Sequence, residues 1–149
     1  ALFIFIGAYG ENQMVKQASM TEGHTIENAM LTNITLLKPQ DTVDDVIKLI
    51  LAGTEKDFIV VEQDSIVGIL NQKDVIKHAK KGDMKVAEIM KQRFRTLAAD
   101  EELKNFFDLV NKEGQRFFPV LGSGGNILGA IDMANVSEFL LLKAQIIAK

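Results

Sequence analysis

Asn71, Lys73, Asp74 and Lys77 are the side chains best able to hold a small polar molecule. They follow the apolar run Ile66 to Leu70, so a strand ends and a helix starts beside them. Backbone N–H groups at such a junction lack helical partners, and together with the helix dipole they attract an anion. The Asn71 amide can donate to an anionic oxygen, and Lys73 and Lys77 add positive charge. The Asp74 carboxylate, about one turn on, can accept two hydrogen bonds from neighbouring hydroxyls. A plainer reading competes. Asparagine is a favoured N-cap, and an acidic residue three positions later resembles a capping box, worth about 1 kcal/mol with no ligand at all. Asp132 and Asn135 follow the run Ile127 to Ile131 in the same way and admit the same two readings.

Other chemistry is thinner. Cysteine is absent, which excludes disulfides and thiol catalysis, and the two histidines, His24 and His78, stand far apart without an HExxH pattern. No nucleophile–base pair emerges, so neither catalytic nor metal-ligating residues are expected. Asp41, Asp44 and Asp45 read as an acidic first helical turn rather than a metal cluster. His78-Ala79-Lys80-Lys81 reads as a solvated helix end. With a formal net charge of −3 and no stacking platform, nothing points to nucleic acid. Gly122 to Gly125 is a hairpin turn, since no helix follows it directly. Phe106, Phe107, Phe117 and Phe118 read as core or interface material.

The elements that position these residues occur twice. With 149 residues, 47% hydrophobic and 25% charged, the chain is globular and free to hold two half-domains. Ile26 to Met30 aligns with Val86 to Met90, sixty positions on. The same offset pairs Ile34 with Phe94, Leu37 with Leu97, Val43 with Leu103, Ile50 with Val110 and Phe58 with Phe118. After one inserted residue, Gly68 falls on Gly129. Each copy predicts the order β-α-β-β-α. In the first, the elements are Ile34 to Leu37, a helix capped by Asp41 or Thr42 and ended by Gly53, strands Phe58 to Val61 and Ile66 to Leu70, and a helix from Asp74 to Lys81. In the second they are Phe94 to Leu97, Glu101 to Glu113, Phe117 to Leu121, Ile127 to Ile131 and Ala134 to Ala148. Neither copy buries its sheet alone at about 60 residues, so an α+β pair packed face to face with pseudo-twofold symmetry is expected.

This doubled pattern resembles the cystathionine-β-synthase (CBS) domain pair, from about residue 25 to the end. The likeness rests on Ile26…Met30 and Val86…Met90, on Phe118-Pro119-Val120, and on a glycine, two apolar residues and a polar helix start closing each copy. It implies a tandem pair, with residues 25–84 and 85–149 as the repeats and 1–24 as an N-terminal helical segment. In the family the closing motif binds an adenine nucleotide, a hydroxyl residue on phosphate and an aspartate on the ribose. Carried over, it makes Ile34, Thr35, Phe58, Ile59, Val60, Asn71, Lys73 and Asp74 a site for AMP, ADP or ATP, with an apolar slot for the base. Asn71 departs from the family's hydroxyl residue. A weaker second site would involve Thr96, Phe118, Pro119, Asp132 and Asn135, where aspartate replaces the phosphate contact and asparagine the ribose carboxylate. The resemblance implies a homodimeric regulatory module with no cofactor of its own; the rival reading is a structural dimerisation module without a small ligand.

Residues 1–8, Ala-Leu-Phe-Ile-Phe-Ile-Gly-Ala, are too few to span a bilayer, which takes roughly 20 apolar residues. Lacking a basic lead-in, they do not read as a signal peptide, which leaves a buried first helix or the tail of a membrane helix. With Glu11 they resemble the end of the last membrane segment in CBS-bearing proteases of the site-two class. That likeness implies an upstream membrane domain carrying zinc, and a place for this chain at the cytoplasmic face of a membrane.

Overall fold

The computed structural model describes residues 21–147; the membrane-helix end expected at residues 1–8 lies outside them. In chain order the first elements are α1 (Ile26–Ala29), β1 (Leu36–Leu37), α2 (Val43–Ala52), β2 (Asp57–Glu62), β3 (Ser65–Asn71) and α3 (Gln72–Lys77). Then follow α4 (Val86–Ile89), β4 (Leu97–Ala98), α5 (Lys104–Glu113), β5 (Phe117–Leu121), β6 (Ile127–Asp132) and α6 (Met133–Ile147).

Two three-stranded sheets result, and they share one design. β1 runs parallel to β2, which pairs antiparallel with β3; β4, β5 and β6 repeat this arrangement. Each hairpin slips register at the same repeat position, between Val60 and Val61 and between Val120 and Leu121. A bulge shared at equivalent positions means the copies keep a common backbone and not merely a common hydrophobic phase.

Local chemistry sets the element ends. Thr42 caps α2 by accepting the Asp45 N–H at 3.2 Å, and Asp45 reaches back to the Thr42 N–H at 3.0 Å, a complete capping box. Gln63 and Asp64 both take positive φ in the two-residue turn joining β2 to β3, as a primed hairpin turn requires. Gly114, at φ 76°, closes α5 in the left-handed conformation. α3 ends at Lys77 rather than at the expected Lys81. The His78 N–H turns back to Val75, and its ring Nδ1 lies 2.9 Å from the Asp74 carbonyl, so the next helical bond is not made. α5 starts at Lys104 rather than Glu101 because the Glu101 carboxylate instead accepts the Ala98 N–H at 2.6 Å. Asp41 does the same for the Lys38 N–H at 2.8 Å. The Asp44 carboxylate lies against Gly82, where a Cβ would collide with it. Asp41 ahead of the cap, and Asp44 and Asp45 in the first α2 turn, thus have separate structural tasks.

The chain forms two compact units, Thr32–Thr96 and a second that joins the segment up to Leu31 with Leu97 onward. They are out of phase with the sequence repeat. Val86 belongs to the core of the first unit with Leu37, Val43, Val46, Phe58, Val60, Leu70 and Val75. Ile26 and Ala29 belong to the core of the second with Leu97, Leu103, Phe106, Phe118, Val120 and Ile131. There Phe106 meets Phe118 edge-on, ring centroids 5.7 Å apart. The short methionine-ended helix at the head of each repeat therefore closes the sheet of the other. Equivalent bonds fix it: Val86 N–H to Asp41 O at 2.7 Å and Ala87 N–H to Pro39 O at 3.0 Å in one unit, Ile26 N–H to Glu101 O at 2.9 Å and Glu27 N–H to Ala99 O at 3.0 Å in the other. Past each methionine the chain adds one bridge to the sheet edge, Lys91 to Ile69 and Leu31 to Ala130.

Candidate ligand site

All eight residues expected at the first site fall within the unit Thr32–Thr96. The register sets Leu36 beside Ile59 and Asp57 beside Asn71, which brings Thr35 just before β1, Phe58 on β2 and Asn71 on β3 to one end of the sheet. Two strand spacings, about 10 Å, separate the β1 side from the β3 side. Phe58 and Val60 point into the hydrophobic core, 1% and 0% exposed, so their side chains do not line a base slot. Ile59 alternates to the other face of the sheet and is also buried. Ile34 and Thr35 are half-buried and Lys73 is exposed.

The junction after β3 differs from the expected anion cradle. α3 is only six residues long. The Gln72 N–H goes to the Lys56 carbonyl at 2.7 Å, and the Asp74 N–H goes to Asn71 Oδ1 at 3.0 Å. Two of the first-turn donors are thus spent inside the fold, and Asn71 is an N-cap first. An anion here would rely on the Lys73 and Lys77 side chains.

Asp74 is not explained in that way. It sits where a capping-box acid sits, yet its Oδ2 is buried and has no hydrogen-bond partner. Asp45 in α2 shows what the satisfied arrangement looks like, with its carboxylate on the backbone N–H of the cap. Leaving a buried polar oxygen unpaired costs about 1–3 kcal/mol, and more if it is charged.

The second candidate site is different. Asp132 Oδ1 accepts the Asn135 N–H at 2.8 Å, and Asn135 Nδ2 donates to the Ala29 carbonyl at 3.0 Å. Asn135 thereby ties α6 to the end of α1, and its amide is engaged. Phe118 is fully buried and Pro119 is buried on the central strand, while Thr96 is exposed just before β4. The capping account is sufficient here.

One contact had no signal in the sequence. Glu55, in the loop before β2, accepts both the Thr35 N–H at 3.1 Å and the Thr35 hydroxyl at 2.5 Å. This clamp takes Thr35 out of the ladder and accounts for β1 starting at Leu36 rather than Ile34. Among the described residues, no His/Cys/Asp/Glu group is arranged to hold a metal, and no helix is long and apolar enough to cross a membrane.

Residues 26–81 match the family model of the CBS domain. An uncharacterized 17.7 kDa protein of Acidianus ambivalens is 24% identical over 113 residues, covering 74% of this chain and 69% of the relative. Among solved structures, CBSX2 in complex with AMP superimposes with a TM-score of 0.71 at 20% identity, covering 82% of this chain and 99% of that one. A CBS domain pair in complex with 5′-methylthioadenosine and S-adenosyl-L-methionine does so with a TM-score of 0.71 at 16% identity, covering 80% of this chain and 97% of that one. The α+β fold of this chain is that of a tandem CBS pair.

Proposed function

We propose that this chain, a CBS pair by fold, is a regulatory module that senses an adenine nucleotide through residues 32–96. The observation that carries the reading is the buried Asp74 Oδ2 without a partner. A ribose diol would supply the two donors such a carboxylate can accept. The base would then extend toward Thr35 at the β1 side, and Lys73 and Lys77 would meet the phosphates. That two solved structures of this fold carry adenosine-containing ligands supports the same class. The module then acts by differential affinity: ligand biases whichever arrangement of the attached effector binds it better. The second site, with Asn135 engaged, is left structural.

For the effector we favour an intramembrane zinc metalloprotease at the cytoplasmic face, on the likeness of residues 1–8 and Glu11 to that class. Coding sequence upstream of Ala1 that lacks hydrophobic spans with an HExxH motif would remove this part of the reading. The rival, a dimerisation module without ligand, is favoured by the capping role of Asn71.

Thermal melting with AMP, ADP and ATP separates the two. Ligand at about 100 times its dissociation constant adds about 2.7 kcal/mol, a rise of roughly 5–10 °C for a chain of this size. Asp74→Ala removes the unpaired oxygen and should leave the ligand-free melting temperature equal or higher, while abolishing the ligand-induced rise. No rise with millimolar nucleotide in the parent chain decides for the rival.

A further inference from the structure

The Glu55–Thr35 clamp has a chemical consequence beyond holding a loop. Oε2 takes the Thr35 amide N–H and Oε1 the Thr35 hydroxyl, at 3.1 and 2.5 Å, with both residues half-buried. The hydroxyl contact has the length of a charge-assisted bond to a carboxylate. Both donors that Thr35 presents at this end of the sheet are consumed. What the pair still offers is acceptor capacity, because each carboxylate oxygen keeps a further lone pair. An acceptor-only group discriminates sharply between an amino group and an oxo group at one position of a ring: the first donates to it, and the second sets two oxygens face to face with no hydrogen between them.

We propose that Glu55 is the specificity-determining residue of the nucleotide site, accepting a hydrogen bond from the 6-amino group of adenine and rejecting the 6-oxo group of hypoxanthine or guanine. This rests on the nucleotide reading above. The strand order agrees with it, since Thr35 and Asn71 flank β2 at one end of the sheet, about two strand spacings apart, and Asp74 follows Asn71 in the first turn of α3, which suits a nucleoside lying with its ribose toward α3 and its base toward β1. Lys56, the next residue, is turned into solvent and supplies no competing donor contact within this clamp.

The test is calorimetric titration of the full chain with AMP, IMP and N6,N6-dimethyl-AMP, with the parent compared against Glu55→Gln. The parent should prefer AMP over IMP by on the order of 100-fold, and dimethyl-AMP, which has no 6-amino hydrogen, should bind at least about tenfold more weakly than AMP. In Glu55→Gln the side-chain oxygen can still hold Thr35 while its NH₂ donates to an oxo group, so the preference for AMP should shrink by about tenfold or reverse. An unchanged AMP-to-IMP ratio in a folded Glu55→Gln chain overturns the role of Glu55 alone. Should that variant fail to fold, dimethyl-AMP binding the parent as tightly as AMP does overturns it equally. If the folded parent binds AMP with no measurable heat or melting shift, the nucleotide reading itself is lost and this assignment with it.

Discussion

Replacing Gly129 by alanine tests how each sheet is closed. A Cβ at this position would overlap the backbone carbonyl oxygen of Leu31, stand 3.1 Å from its carbonyl carbon and touch the Met30 sulfur at 3.4 Å. Leu31 and the neighbouring Ala130 exchange two backbone hydrogen bonds, 2.6 and 2.9 Å long. Because the obstacle is backbone, relief requires the strand-like segment to leave the edge of β6. Losing both bonds costs about 1–3 kcal/mol, and the displaced packing adds about 1 kcal/mol. The expected sum is about 2–4 kcal/mol, a fall of roughly 5–15 °C in Tm for a chain of this size. The equivalent Gly68→Ala is the control. There the closest contacts of the new methyl are with the Met90 side chain, Sδ at 2.6 Å and Cγ at 2.8 Å, and a thioether can move aside, while the Lys91 carbonyl oxygen stands off at 3.1 Å against an overlap at Gly129. It should cost about 1 kcal/mol. Circular-dichroism melting measures both, and hydrogen exchange at Leu31 and Ala130 should accelerate only in Gly129→Ala. Gly129→Ala melting with the parent, or Gly68→Ala proving the more damaging of the two, would refute this closure of the β6 edge.

Asn135→Leu should lower stability by about 1–3 kcal/mol, since the Ala29 carbonyl loses its donor, while any AMP-dependent melting shift stays as in the parent. A lost shift would place the second site in ligand binding after all. The Asp45 carboxyl is held below the ordinary aspartate value, first by the Thr42 backbone N–H and then by the Thr42 side chain. A depressed folded value means that its stabilising contribution is complete above the unfolded value, near pH 4, and fades as pH falls through the lower folded value. The stability gap between the parent and Asp45→Asn should therefore close in melting experiments as pH falls below about 4. A gap independent of pH would remove the charge from the cap. Phe106→Ala, at a fully buried ring between Phe107 and Phe118, should cost about 3–5 kcal/mol by urea unfolding.

How well the sequence announced these features depended on what kind of signal each one leaves. The strands were legible because apolar runs such as Phe58 to Val61 and Phe117 to Leu121 carry their own period, and the repeat doubled the signal. Helix ends were less so. His78 stops α3 with its ring and Glu101 delays α5 with its carboxylate, and a side chain's choice of a nearby backbone partner leaves no periodic trace. Asp74 and Asn135 occupy matching helical positions, and residue type already ranks the second site below the first. Their partners leave no sequence trace: one lacks a partner at Oδ2 and the other reaches Ala29 from more than a hundred residues away. Glu55 was missed for the same reason: a loop glutamate twenty positions from its threonine has no pattern to betray it. The fit of each methionine segment to the other copy's sheet was also hidden, because an internal repeat reports likeness and not pairing.

That exchange bears on how the molecule can be assembled. The unit Thr32–Thr96 is one uninterrupted stretch that carries its own edge bridge, whereas the other must wait for its N-terminal piece to meet strands made after all of that stretch has emerged. Closing so long an intervening chain is entropically slower than local pairing. During synthesis, protection from protease is therefore expected to spread over Thr32–Thr96 first. A product severed between residues 84 and 85 should yield two pieces that each lack one border of a sheet.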